Sequence, residues 1–220
     1  FAIRRQRQMC IRDRNNMDWM EMSLRDFQSA LASSSPTPGG GTASAVALGQ
    51  AAALTCMVAD LTVGNEKWKD GWKCAEKAQL IAIKIFTEAG KLAKDDSDSF
   101  DLVMASFKLP KTNDEEIQVR KKTIREATLK AALVPFETAK LAYQLLEVLP
   151  ELALEGNANA VSDVGVASLL ASTAAKGALL NVDINLGSLP DEMIGDLGVR
   201  ADQLLEKSRI LSKESLRIVR

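Results

Sequence analysis

Gly39-Gly40-Gly41-Thr42-Ala43-Ser44-Ala45-Val46-Ala47-Leu48-Gly49-Gln50-Ala51-Ala52-Ala53-Leu54-Thr55-Cys56-Met57-Val58-Ala59-Asp60-Leu61 carries no charge until Asp60. Alanine favours helix, and a helix without a polar face must be covered on nearly all sides. The expectation is therefore a buried helix over 42–61. A membrane span is the competing reading. It is the weaker one, because a span needs about 20 strongly apolar residues, whereas this run is mostly alanine and contains Ser44, Gln50 and Thr55.

Outward from this helix the chain reads as helix after helix. Before it, Ser23 is a cap-type residue with Asp26 three positions on, and Leu24, Phe27 and Leu31 repeat at helical spacing, which predicts a helix over 23–32. After it, Gly64-Asn65 breaks the chain, and 66–108 repeats Leu80, Ile83, Phe86, Leu92, Phe100, Val103 and Phe107 in a long helical pattern with a bend near Asp95. Pro110 stops that pattern. Asn113 with Glu116 caps a further helix running through Lys130 to Leu149, kinked at Pro135. Pro150 starts a short helical turn, and Gly156-Asn157 separates it from a second small-residue helix over 160–181. Asn181 to Leu186 alternates in the manner of a strand but has no partner. Gly187 to Pro190 then leads into a charged C-terminal helix. The class is all-α: a multi-helix bundle with long buried Ala-rich helices. Two helices with small residues on several faces need broad apolar partners, which points to a homodimer.

Composition narrows the function. The chain has 220 residues, a formal net charge of −1 and 5% aromatic residues. That charge balance excludes a strongly basic polyanion binder, so no nucleic-acid partner is expected. Residues 1–16 carry Arg4, Arg5, Arg7, Arg12 and Arg14 against Asp13 and start without methionine, and they read as a non-native leader, with the true start at Met17, Met20 or Met22. The remaining 17–220 reads as one mildly acidic helical domain. A secretory signal requires an apolar run of about 7–15 residues; 1–16 has none, and the expectation is a cytoplasmic protein with no membrane partner. Cys10, Cys56 and Cys74 have no metal-ligand spacing, and Cys56 and Cys74 read as reduced packing residues. There is no histidine, so proton transfer falls to carboxylates, lysines, Tyr143 or water. No metal is expected.

Four features can carry chemistry. Gly39-Gly40-Gly41 before a helix exposes first-turn amides to an anion or a carbonyl oxygen, or is simply a tight turn that lets helices approach. It lacks the lysine of a phosphate loop and the spacing of a dinucleotide fingerprint. In Lys94-Asp95-Asp96-Ser97-Asp98-Ser99-Phe100-Asp101, helical geometry puts Asp96 on the stripe of Leu92, Phe100, Val103 and Phe107, while Asp98 and Asp101 fall with Lys94. A carboxylate interrupting an apolar stripe is partly desolvated, which suits general acid/base work, although a structural role is equally compatible with the pattern. Asp163 repeats this arrangement with Ala160, Ala167 and Leu170, or serves as a helix N-terminal charge. Asn157, Asn159, Asn181 and Asn185 can read a heterocycle edge or cap turns. Lys108 and Lys111 attract an anionic tail or complement a helix C-terminus.

In order along the chain, Pro36-Thr-Pro-Gly-Gly-Gly41, Met57-Val-Ala-Asp-Leu-Thr62, Asp96-Ser-Asp-Ser-Phe100, Lys108-Leu-Pro-Lys111, Gly156-Asn157 with Ser162-Asp163, and Asn181-Val-Asp-Ile-Asn-Leu186 resemble the cyclodeaminase/cyclohydrolase family, which contains formimidoyltetrahydrofolate cyclodeaminase and bacterial methenyltetrahydrofolate cyclohydrolase. The resemblance spans 23–205. It implies a helical dimer with tetrahydrofolate, polyglutamylated or not, in a cleft near the subunit contact, and no cofactor beyond that substrate. It also implies that Asp96 is the catalytic aspartate. Gly39, Gly40 and Gly41 would then hold a folate oxygen, Lys108 or Lys111 the glutamate tail, and Asp163 the pterin or the cationic bridge, with Asn157 and Asn185 as further substrate contacts. The reaction implied is closure of 5-formimidoyltetrahydrofolate to the 5,10-methenyl form with loss of ammonia; the alternative is hydrolysis of the methenyl form to 10-formyltetrahydrofolate. An alternative of another class is a non-catalytic helical interaction module. Light scattering behind size exclusion at micromolar concentration should return the mass of a dimer, and a monomer mass alone would refute that expectation.

Overall fold

The computed structural model describes residues 18–220, so the leader and Cys10 lie outside the described residues. A 3₁₀ turn, Trp19–Glu21, is followed by helices α1 Leu24–Leu31, α2 Gly40–Thr62, α3 Trp72–Ser106, α4 Asp114–Leu146, α5 Leu149–Glu155, α6 Val161–Leu186, α7 Asp191–Ile194 and α8 Leu197–Val219. No strand occurs among the described residues. The Ser23 hydroxyl accepts from the Asp26 N–H and donates to the Asp26 carboxylate, which caps the start of α1. Asn113 caps α4 through the Glu116 N–H in the same way. Between α2 and α3 the chain turns through Gly64, whose φ of +80° is the left-handed region that glycine enters without steric cost.

The four long helices close a ring: α2 packs on α3 and α6, and α4 packs on α6 and α3. Helices α2 and α3 run antiparallel in one continuous register, with Asp60 beside Gln79, Gly49 against Ala89 and Gly41 against Asp96. Helices α2 and α6 are also antiparallel. Ser44 faces Gly177 so closely that a β-carbon at Gly177 would overlap the Ser44 hydroxyl. Helix α8 covers α6, α5 and α4. The main core is built around Leu48, Ala52, Ile85, Leu145, Leu149 and Val164. A smaller core joins α4, α6 and α8 through Phe136, Leu179, Val182 and Leu197. Alanine fills much of both, so stability comes from close backbone approach rather than from bulky side chains.

Helices α2 and the segment Ala158–Leu186 are long and apolar enough to cross a membrane by length and composition. In this fold their faces are used against each other and against α3 and α4. Cys74 is a buried thiol donating to the Gly71 carbonyl, and burial first, then Glu151 and Glu155, push its pKa up to about 11. It is accordingly an inert packing residue. Cys56 is also free.

Several boundaries differ from the sequence reading. The 66–108 pattern splits into a 3₁₀ turn, Glu66–Gly71, and α3, which is continuous helix through Asp95. Leu24 and Leu31 of α1 stay exposed and Phe27 alone of that stripe is buried. The alternating Asn181–Leu186 is the last turn and a half of α6. Helix α4 likewise continues through Pro135. Proline has no N–H for the Ala131 carbonyl four residues back, and the Asn185 amide of α6 donates to that carbonyl at 3.1 Å and to the Asn181 carbonyl at 2.8 Å. The neighbouring helix thus satisfies the carbonyl that Pro135 leaves without a donor in its own helix.

Asn185→Ala should therefore lower stability by about 1–3 kcal/mol in urea denaturation, the cost of an unsatisfied buried carbonyl. In a Pro135→Ala background the restored N–H takes over, and the same substitution should cost much less; equal costs in both backgrounds would refute the coupling.

Candidate functional site

Gly39 occupies the N-cap of α2 and brings no side chain, so the first-turn amides need an acceptor from elsewhere. Asp96 of α3 supplies it. Its carboxylate accepts from the Thr42 N–H and, through Oδ2, from the Thr42 hydroxyl at 2.9 Å. The carboxylate lies so close to Gly41 that a β-carbon there would overlap it. Gly41 is thus required by the acid rather than by backbone dihedral angles. Behind Thr42, its hydroxyl is 3.0 Å from the Ser97 hydroxyl, which accepts from the Trp19 indole N–H at 3.0 Å. Trp19, Thr42 and Ser97 are all buried, and Trp19 is held edge-on by Phe27 with ring centroids 6.4 Å apart.

Burial raises the Asp96 pKa above the ordinary carboxylate range, and the two hydrogen bonds from Thr42 oppose the rise without cancelling it. No charged neighbour is among the causes. Lys94, one helical face away, is engaged with Asp98 at 2.7 Å. The result is a half-buried carboxyl group that exchanges protons nearer neutrality than a solvated aspartate, at a helix N-terminus able to tolerate its anion.

The other residues singled out from sequence fall in three places. Gly39, Gly40 and Gly41 are at Asp96, and the Asn181 amide approaches Gly40 from α6, 3.7 Å from where a β-carbon would stand. Asn185 is one turn beyond Asn181, with its amide nitrogen bonded to the Ala131 and Asn181 carbonyls. Lys108 and Lys111 are exposed in the α3–α4 connection, and Lys108 is ~18 Å along the helix direction from Asp96 at 1.5 Å per residue. Asn157 and Asp163 are at the opposite end of the bundle, ~30 Å away at the same rise. Asn157 is buried there, donating to the Leu61 carbonyl and receiving the Asn159 N–H, while its own N–H goes to the Thr62 hydroxyl. Within the chain, then, the glycines and Asp96 lie together with Asn181 and Asn185 at their edge, and Asn157 and Asp163 are not among them.

Sequence reasoning passed over Trp19, Thr42 and Ser97 as site residues. Trp19 sits beside the arginine-rich leader, and Thr42 and Ser97 carry no charge; their signal is only that each hydroxyl adjoins a motif residue. A concavity of about 310 Å³ lies between α4 and α7, lined by Gln118, Lys121, Lys122, Arg125 and Glu126 of α4 and Met193 of α7. Its α4 residues begin about two turns beyond Lys111.

In this antiparallel helical ring a partly desolvated carboxylate caps a triple-glycine helix start, in a chain that has no histidine. The sequence pattern of the family described as Formiminotransferase-cyclodeaminase matches residues 23–197, most of the chain, and the chain belongs to that family. It is 36% identical over 178 residues to the methenyltetrahydrofolate cyclohydrolase of Methylorubrum extorquens, a match covering 79% of this chain and 84% of that protein. It is 32% identical over 178 residues to the formimidoyltransferase-cyclodeaminase of Rattus norvegicus, of which the match covers 32%, so the chain spans about a third of that relative's length. The crystal structure of the formiminotetrahydrofolate cyclodeaminase of Thermotoga maritima superposes with a TM-score of 0.80 at 26% identity, covering 91% of this chain and 96% of that one.

A carboxyl group whose pKa is raised by folding stabilises the fold below its unfolded value of 3.8 and loses that contribution as pH rises through the folded value. Asp96→Asn should therefore raise the melting temperature at pH 7, and the gain should shrink toward pH 4. A variant less stable than wild type at pH 7 would contradict the burial cost.

Proposed function

We propose that the chain is a folate one-carbon enzyme that closes 5-formimidoyltetrahydrofolate to 5,10-methenyltetrahydrofolate with release of ammonia, using Asp96 as proton shuttle. The observation that carries this reading is the Asp96 carboxyl group, desolvated yet anchored at the α2 N-terminus, in a chain of this family. N10 adds to the protonated formimidoyl carbon, and Asp96 takes the proton that N10 then carries. Asp96 returns it to the amino group, the carbon–nitrogen bond breaks, ammonia leaves and the methenyl cation remains. The carboxylate is regenerated and one positive charge is conserved. A raised pKa suits both halves of the transfer, because the group must pick up a proton and surrender it near neutrality.

Hydrolysis of the methenyl form to 10-formyltetrahydrofolate is the second reading, favoured by the 36% identity to a cyclohydrolase over most of that protein's length. There the same carboxylate takes a proton from water as oxygen adds to the bridge carbon. Opening toward N5 returns that proton, and the hydroxyl proton is released to solvent. In either reading the Gly39–Gly41 turn and Asn181 contact the folate near the acid, and Lys108 and Lys111 attract its glutamate tail. No metal or cofactor is required, because the folate carries the one-carbon unit. We place the enzyme in the cytoplasm as a homodimer; exposed Leu180 and Ile184, one turn apart on α6, support an apolar strip for a second copy to cover.

Mixing the protein with each folate in turn and following the methenyl chromophore identifies the reaction. Asp96→Asn should reduce turnover of the working substrate by ~10²-fold or more, in line with loss of a general acid/base. Full turnover by the variant would overturn the role. Turnover of neither folate by wild-type protein would overturn the enzyme reading and leave the interaction module.

A further inference from the structure

The four groups Trp19, Ser97, Thr42 and Asp96 form a line of hydrogen bonds whose direction can be assigned by counting protons. The Trp19 indole nitrogen only donates, so the Ser97 oxygen accepts at that end. The ionised Asp96 Oδ2 only accepts, so the Thr42 hydroxyl spends its single proton there. The 3.0 Å contact between the two hydroxyls then runs from Ser97 to Thr42. Each hydroxyl donates toward the carboxylate and accepts from behind, and such a polarised line strengthens its last bond in a low-dielectric setting. All three links join segments far apart in sequence, 78, 55 and 54 residues respectively.

We propose that Trp19 is a positioning residue for Asp96: its buried indole N–H orients Ser97 and Thr42 so that Thr42 always donates to Oδ2, leaving Oδ1, at Gly41, as the oxygen that exchanges protons. The catalytic consequence rests on the reading of Asp96 as proton shuttle; the hydrogen-bond polarity does not. Without the indole donor, Ser97 is free to accept from Thr42, which then turns away from the carboxylate for part of the time. The anion loses support and Asp96 holds its proton more tightly. Charged groups on the surrounding elements do not substitute for this control. Asp18 and Glu21 beside Trp19, Lys176 and Asp183 on α6 and Lys130 on α4 are exposed, Asp95 and Asp98 project from α3 itself with Lys94 engaged by Asp98, and α2 has no charge before Asp60.

The test is the titration of Asp96 in the full-length protein, read as the carboxyl band in infrared difference spectra against Asp96→Asn, with no substrate present. Trp19→Phe should move the midpoint to higher pH, on the order of one unit for a carboxylate losing a charge-assisted hydrogen bond. Benzothienylalanine incorporated at position 19 keeps the shape of the ring and lacks the N–H; it should shift the midpoint equally while retaining the wild-type melting temperature. Thr42→Val should shift it the same way, and Thr42→Ser should retain the wild-type midpoint. If the benzothienyl protein titrates as wild type does, or Thr42→Ser shifts as far as Thr42→Val, the proposal fails. For the folate that is turned over, the limb of the pH–rate profile governed by Asp96 should move with the infrared midpoint. An infrared shift without a matching kinetic shift would retain the polarity and reject Asp96 as the shuttle, which separates the two claims.

Discussion

The Asp96 carboxylate lodged against Gly41 is the contact on which the rest of this protein depends. It is a capping interaction between two helices: α2 begins without a capping side chain, and α3, running antiparallel beside it, provides the acceptor at the matching level. The same contact sets the α2–α3 register that continues through Gly49–Ala89 to Asp60–Gln79. Only glycine at position 41 admits a carboxylate at that distance. The site is therefore built into the core seam of the bundle rather than added on a loop, and its geometry is as rigid as the packing of the two helices.

Close approach comes at the expense of solvation, and the structure shows how that cost is limited. Buried hydroxyls turn inward on their own helices, as Thr55 does to Ala51 and Thr62 to Val58, or join neighbours, as Ser168 does to Ser212. Pro135 would leave the Ala131 carbonyl bare in the α4–α6 seam, and Asn185 fills the vacancy. At Asp96 compensation stays incomplete: Thr42 provides two hydrogen bonds and burial still prevails. A group held out of balance between its two protonation states is what proton transfer at one carbon requires.

Much of the helix order was readable because its signals are local. Ser23 with Asp26, Asn113 with Glu116, Gly64-Asn65 and Gly156-Asn157 mark starts and stops by hydrogen bonding within four residues. Errors arose where a distant partner overrides a local rule. Pro135 interrupts the local hydrogen-bond ladder, and Asn185, 50 positions on, supplies the donor that the Ala131 carbonyl lacks within its own helix. Asn181 to Leu186 alternates like a strand, yet Val182 and Leu186 face the small core while Asn181 and Asn185 are held by carbonyl groups. Asn157 and Asp163 are marked by motif and helix face, but they lie at the far end of α2 and α6, ~30 Å from the acid.

The sequence by itself determined the helical class, the small-residue packing seams of α2 and α6, and Asp96 as a carboxylate among apolar helix positions. Those properties follow from periodicity and composition, which act over a few turns of helix. The tertiary structure alone decided which groups meet that carboxylate. Gly41, Thr42, Ser97 and Trp19 come together through antiparallel register and burial, and the hydrogen bonds joining them span separations at which one-dimensional spacing carries no information about distance.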